Sequence, residues 1–293
     1  MNIGIVTDSN CDLDPKLIAE YDIEVIPLIV NFGEESYRDG VDLTTDEFFE
    51  RISTGKDFPE TSQPSPGEFI KLYQKLAADY EVLLSIHLSS GLSGTYNTAQ
   101  MAAQQVDGVE IKVVDSASLS IGQGFLVLLA AELAKHKFTA EEIIDQIERA
   151  REHLKLYFTV QDLSYMEHGG RIGKASAFLG SILRLNPVLE INTATGKVDV
   201  LAKIRGENKA RRKMIELAIE ELKEASKAWI GLAHGDRAGA LTKVENKLAA
   251  YLEGKTVNYN FFKQRINSTL GCHVGPSVYA VIVLAGDFLP DLS

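Results

Sequence analysis

With 293 residues, 45% of them hydrophobic, the chain can bury one large or two medium cores. Its formal charge of −11 excludes general nucleic-acid binding, which demands a basic face. Cys11 and Cys272 are the only cysteines and neither belongs to a CxxC pair, which excludes a disulfide framework and a structural zinc site and fits a reducing cytoplasm.

Residues 2–7 read as a strand that starts without a basic leader, so no secretory signal is expected. The polar run Asp8-Ser9-Asn10-Cys11-Asp12 forms the turn at its end, and Pro15 suits the first turn of a short helix ending near Tyr21. Residues 23–32 read as a second strand, interrupted by Pro27, and residues 35–43 as a surface excursion. Thr44-Thr45-Asp46-Glu47 opens a helix with a hydroxyl cap and an acidic first turn. Residues 60–66 read as a loop, and Ser65-Pro66-Gly67-Glu68 starts a helix running to about Asp79.

The stretch 82–97 is the most informative. A β-branched and aliphatic run predicts a buried parallel strand, followed by the small, hydroxylated Ser89-Ser90-Gly91-Leu92-Ser93-Gly94 and a helix from Thr95. Such a turn presents free backbone N–H groups and a positive helix end to anionic oxygens. The same residues also serve as an ordinary chain reversal with serine caps, and spacing alone leaves both readings open. Residues 111–114 give a further strand, ending in Asp115-Ser116. Strand, polar turn and helix recurring four times predict an α/β domain with a doubly wound, mostly parallel sheet. Ligands of such sheets sit beyond the carboxyl ends of the strands, where Asp8, Thr61, Ser62, Ser89 to Thr95, and Asp115 fall.

Residues 122–135 predict an apolar crossover helix, whose longest apolar stretch, 124–131, is far short of the ~20 residues of a membrane span. Thr139 caps another helix. The pattern changes near residue 155. Residues 156–160 read as a strand, 166–174 as a Gly-rich polar loop, and 175–185 as a helix with few charges. Residues 188–192 and 197–204 form a hairpin, 207–225 a helix, 228–233 a strand, 239–253 a helix, and 256–262 and 278–284 strands. The second half is therefore an α+β domain with a mixed or antiparallel sheet, dividing the chain into 1–155 and 156–293.

Nucleotide motifs are missing: residues 91–95 lack the P-loop frame and its lysine. The second glycine after Ser93 comes one place early for a hydrolase elbow, and Asn10 stands where an aspartyl-phosphatase strand needs its second Asp. Arg171, flanked by glycines, can reach across a cleft to an anion. His273 sits in the turn Gly271-Cys272-His273-Val274-Gly275-Pro276, and with Ser93 it allows a serine hydrolase or acyltransferase as an alternative. Residues 203–213 hold six basic residues against one acid, a candidate docking face for an anionic partner or transient contact with a membrane surface.

Together, Ile5-Val6-Thr7-Asp8-Ser9, Thr61-Ser62-Gln63-Pro64-Ser65-Pro66, Ser89 to Tyr96, Val114-Asp115-Ser116, Gly169-Gly170-Arg171-Ile172 and Gly271 to Pro276 give the chain a resemblance to the DegV family. These are bacterial fatty-acid-binding proteins that include the binding subunits of fatty acid kinase. The resemblance covers nearly the whole chain. It departs at Ser277, where many members carry a further glycine. It implies a non-enzymatic, cytoplasmic lipid carrier with no cofactor or metal. One long-chain fatty acid would lie with its carboxylate at the domain interface and its tail in a tunnel. Thr61, Ser62, Ser93, Gly94, Thr95, Arg171 and His273 are then expected at the head group. Arg205, with Lys203, Lys209 and Arg211, would dock a fatty acid kinase catalytic subunit that forms the acyl-phosphate.

Overall fold

The computed structural model describes residues 2–55, 58–178 and 186–292. Strand β1 (Ile3–Asp8) runs into a single 3-10 turn, Ser9–Cys11, then α1 (Pro15–Glu20), β2 (Ile23–Ile26), β3 (Ile29–Phe32) and β4 (Glu35–Arg38). Next come α2 (Thr45–Ser53), β5 (Glu60–Ser62), α3 (Pro66–Leu76), β6 (Val82–His87), α4 (Thr95–Ala103) and β7 (Glu110–Asp115). Helices α5 (Ser120–Lys135) and α6 (Ala140–His153) lead to β8 (Leu154–Thr159) and α7 (Ser164–His168). A 3-10 helix, Gly173–Phe178, precedes β9 (Val188–Asn192), β10 (Lys197–Ala202), α8 (Glu207–Leu222) and β11 (Lys227–His234). The chain finishes with α9 (Ala238–Leu252), β12 (Asn258–Arg265), α10 (Ser268–Val274) and β13 (Tyr279–Ala285).

Two domains result, an N-terminal parallel α/β unit and a C-terminal unit on a mixed sheet. The N-terminal sheet has four parallel strands in the order β2-β1-β6-β7. Its register sets Thr7 beside Ile86 and His87 beside Asp115, so the polar strand ends share one edge. The C-terminal sheet runs β10-β9-β8-β13-β11-β12, antiparallel except for β11 with β12. Helices α2, α3 and α6 begin where their capping boxes predict, at Thr44/Glu47, Ser65/Glu68 and Thr139/Glu142.

Helix α5 is buried all round from Ser120 to Leu133 because it lies between the sheets, against β1 and β6 on one side and β8, β11 and β13 on the other. A helix in that position needs no polar face. One apolar core consequently runs through both domains, joining Ile5 and Leu84 to Trp229 and Ile282.

Several expectations change. Residues 23–32 are two strands in different sheets, because Pro27 cannot donate to a ladder. The excursion after it contains β4, and the loop after residue 60 contains β5. These flank β3 in a separate antiparallel sheet, β4-β3-β5. Strands of three or four residues are too short for alternation to announce them. The 166–174 loop begins inside α7 and ends in the 3-10 helix, and the turn around His273 is the end of α10, stopped by Gly275 at φ +67°. Of the helix expected over 175–185, residues 179–185 lie outside the described residues, and the part before them is 3-10.

Candidate functional site

Three elements converge on the carboxyl edge of the parallel sheet. The turn after β1 and the loop after β6 belong to that edge, and α10 packs across from the C-terminal domain against β3, β5 and the 3-10 turn Ser9–Cys11. A wholly buried hydrogen-bond chain fixes the edge. Asp8 Oδ2 accepts from the Leu88 amide at 3.0 Å and lies 2.9 Å from His87 Nδ1, while His87 Nε2, Ser85 Oγ and the Tyr73 hydroxyl follow at 2.7 Å steps. The hairpin between β9 and β10 seals the other side, because Ser89 Oγ donates to the Gly196 carbonyl at 2.7 Å. A Cβ on Gly91 would lie 2.7 Å from the Thr195 carbonyl oxygen, so the loop approaches that hairpin more closely than a side chain permits.

Inside this junction lies an elongated cavity of about 820 Å³, its open mouth included. Leu92, Leu119, Leu156, Phe158, Met166, Ile191, Val198, Ile266, Leu270 and Val278 give it apolar walls, drawn from both domains.

Polar side chains interrupt these walls. Thr61, Ser93, Arg171 and His273 all line the cavity, so the structure brings four of the expected head-group residues together. Thr61 Oγ1 is 2.9 Å from His273 Nε2. His273 is pulled down to about 4, first by burial and then by the nearby Arg171 guanidinium, so the ring is neutral at neutral pH. Its Nδ1 is buried without a partner, against Gly169, where a Cβ would lie 2.2 Å away. Arg171 donates through Nε to the Leu92 carbonyl at 3.0 Å and through Nη1 to the Gly169 carbonyl at 2.6 Å. The first of these bonds spans the domains, and among the described residues Nη2 is left without a hydrogen bond. Ser93 Oγ lies 2.9 Å from Thr95 Oγ1 and forms no hydrogen bond with His273 among the described contacts.

The remaining expected residues do not line the cavity. Ser62 follows Thr61 on β5 and projects to the other face, where its hydroxyl accepts from Asn31 Nδ2 at 3.0 Å. Gly94 makes room for Gln63, which bonds Thr98 Oγ1 at 2.6 Å, and buried Thr95 supports Ser93 from behind. On the basic segment, Arg205 and Lys209 are exposed, as is Lys203, but Arg211 is not a surface cation. Its side chain is 13% exposed, pairs with Glu207 at 3.6 Å and bonds Asn208, both on its own helix α8. Asn10, Ser120 and Thr269 also line the cavity, and nothing in their spacing distinguishes them from capping or core residues. Among the described residues no cluster of three or more His, Cys, Asp or Glu side chains suits a metal ion, and no helix is long and apolar enough to cross a membrane.

Residues 2–286 match a family model described as the DegV family. The chain belongs to the DegV family. Protein DegV of Bacillus subtilis (strain 168) is 34% identical over 283 residues, spanning 96% of this chain and 98% of that one. Among solved DegV structures, one described by its fatty acid binding, from Thermus thermophilus, superimposes with a TM-score of 0.90 at 32% identity, over 98% of this chain and 100% of the other. A fatty acid (stearic acid)-binding protein from Eubacterium ventriosum ATCC 27560 gives a TM-score of 0.86 at 26% identity, over 97% and 98%. The family resemblance of the motifs is thus matched along the whole fold.

Proposed function

We propose that this DegV-family protein holds one long-chain fatty acid, its carboxylate at Thr61, Ser93 and Arg171, with His273 behind Thr61 in the same network, and its tail along the apolar cavity. The bound acid is then presented to a separate fatty acid kinase for conversion to the acyl-phosphate. The observation that carries the reading is a largely apolar cavity whose lining includes a cluster of hydroxyl, imidazole and guanidinium groups. Its relatives described as fatty acid binding support it.

The energetics divide the work. Burying a chain of about 16 carbons at about 0.8 kcal/mol per CH₂ yields roughly 10 kcal/mol of gross transfer free energy. A charged hydrogen bond adds about 1.5–3 kcal/mol. The tail therefore drives affinity, and the polar end fixes direction. The carboxylate needs several donors to leave water. A neutral His273 protonated on Nε2 donates to Thr61 Oγ1, so Thr61 keeps its own proton for the carboxylate. Nδ1 is then a bare acceptor, consistent with its lack of a partner.

In this reading residues 1–155 supply Thr61 and Ser93, residues 156–293 supply Arg171 and His273, and the protein is a cytoplasmic carrier without a cofactor. Exposed Arg205 and Lys209, with Lys203, form the kinase-docking face. Mass spectrometry of freshly purified protein is expected to find one acyl chain per molecule. Absence of acyl chains together with failure of delipidated protein to bind any fatty acid would overturn the proposal. The hydrolase alternative lacks support because His273 Nε2 faces Thr61, not Ser93. A fluorophosphonate probe is therefore expected to leave Ser93 unlabelled.

A further inference from the structure

We propose that Asn10 is a second polar station inside the cavity, one that takes a hydroxyl group carried on the bound acyl chain. This rests on the fatty-acid reading above and adds a selectivity to it. Asn10 lines the cavity and is fully buried, yet neither Oδ1 nor Nδ2 of its carboxamide has a protein partner. Its backbone N–H alone is engaged, donating to Asp8 Oδ1 at 3.1 Å. Among the described residues, only Asn10 and His273 both line the cavity and keep an unpartnered buried side-chain atom. Most such groups in proteins are satisfied, so an orphaned carboxamide on a residue that lines an apolar cavity marks a ligand contact.

The other hydroxyls of this lining direct their protons elsewhere. Thr269 Oγ1 donates to Asp39 Oδ2 at 2.8 Å, and Ser120 Oγ donates to Asp12 Oδ2 at 2.6 Å. Asn10 is also set apart from the carboxylate cluster. Asn267 Nδ2 donates to the Ser9 carbonyl at 3.0 Å, which ties the Ser9–Cys11 turn to the start of α10, whereas His273 lies in the helix's last turn. Thr269 and His273 share the cavity face of α10, four residues or about 6 Å apart. The station therefore meets the chain and not the carboxylate.

A carboxamide offers one acceptor and two donors, and a hydroxyl both donates and accepts. A plain methylene chain against Asn10 leaves the amide desolvated and unpaired, whereas a chain hydroxyl at the matching position satisfies both functions. The cavity is accordingly expected to prefer a hydroxylated acyl chain over its unsubstituted parent.

The test compares delipidated protein binding hexadecanoic acid with a panel of hydroxyhexadecanoic acids whose hydroxyl is moved along the chain. Wild-type protein is expected to bind one positional isomer about tenfold more tightly than the parent acid. Asn10→Leu should erase that preference and tighten binding of the parent acid, while Asn10→Ser, should the leucine variant not fold, should keep a reduced preference. Binding of hexadecanoic acid with no isomer favoured by the wild type, or a preference that survives in Asn10→Leu, overturns the assignment of Asn10. Failure of wild-type protein to bind either class of acid overturns the fatty-acid reading and this assignment with it.

Discussion

Thr61 and His273 stand 212 positions apart in the chain, and their Oγ1 and Nε2 atoms meet at 2.9 Å. The contact joins the small antiparallel sheet to the last turn of α10, at the polar end of the cavity.

If this pair acts as one unit on the carboxylate, its members are not independent. Thr61→Val is expected to weaken fatty acid binding roughly ten- to hundredfold, the loss of one charge-assisted hydrogen bond. His273→Phe should have a similar effect, since Thr61 would lose the partner that orients its hydroxyl. The double variant should bind about as well as either single one, because the two residues share one interaction. Titration of delipidated proteins with a labelled acid measures all three, and fully additive losses would refute the coupling.

Burial and Arg171 lower His273 from 6.5 to about 4, so between those values the unfolded chain binds the proton and the folded one does not. Its contribution to stability is complete above about 6.5 and is lost as pH falls toward about 4. Asp12 behaves oppositely, pushed up to about 7 by burial against an ordinary 3.8. Its contribution is complete below 3.8 and lost as pH rises through about 7. Thermal melts across this range should show His273→Gln flattening the acid limb and Asp12→Asn gaining on the wild type as pH rises.

Gly91 admits the β9–β10 hairpin against the Ser89 loop, and a Cβ there would lie 2.7 and 2.8 Å from two backbone carbonyl oxygens. Gly91→Ala should therefore cost about 1–3 kcal/mol, an overpacking penalty with no flexible side chain to absorb it. Differential scanning calorimetry should record a lowered Tm, and fatty acid binding should weaken because Ser93 is carried on the same loop.

Ala280 contributes a small side chain to the cavity wall from the central strand β13. Ala280→Phe should exclude two or three methylenes of a long tail, each worth about 0.8 kcal/mol, and so weaken long-chain acids by roughly tenfold or more. Short-chain acids should be affected less. A uniform loss across chain lengths would show that the tail runs elsewhere.

The basic segment separates into two roles. Arg205→Glu should leave lipid affinity unchanged and reduce acyl-phosphate formation by an added fatty acid kinase. Arg211→Ala should instead lower Tm, because Glu207 and Asn208 lose an inward-facing partner.

The sequence by itself determined the local features. Capping boxes placed α2, α3 and α6, hydrophobic runs placed β1, β6 and the interdomain helix α5, and the hydroxyl-, glycine- and arginine-bearing motifs named Thr61, Ser93, Arg171 and His273. These are short-range signals, written within a few residues. Only the tertiary structure decided that Pro27 divides two sheets, that Ser62 projects away from Thr61, that Arg211 is tied inward, and that Asn10 lines an apolar cavity with its amide unpaired. Each depends on which distant segment packs opposite. Cavity-lining and core positions carry the same apolar residues, and the space between them is set by two sheets closing on α5.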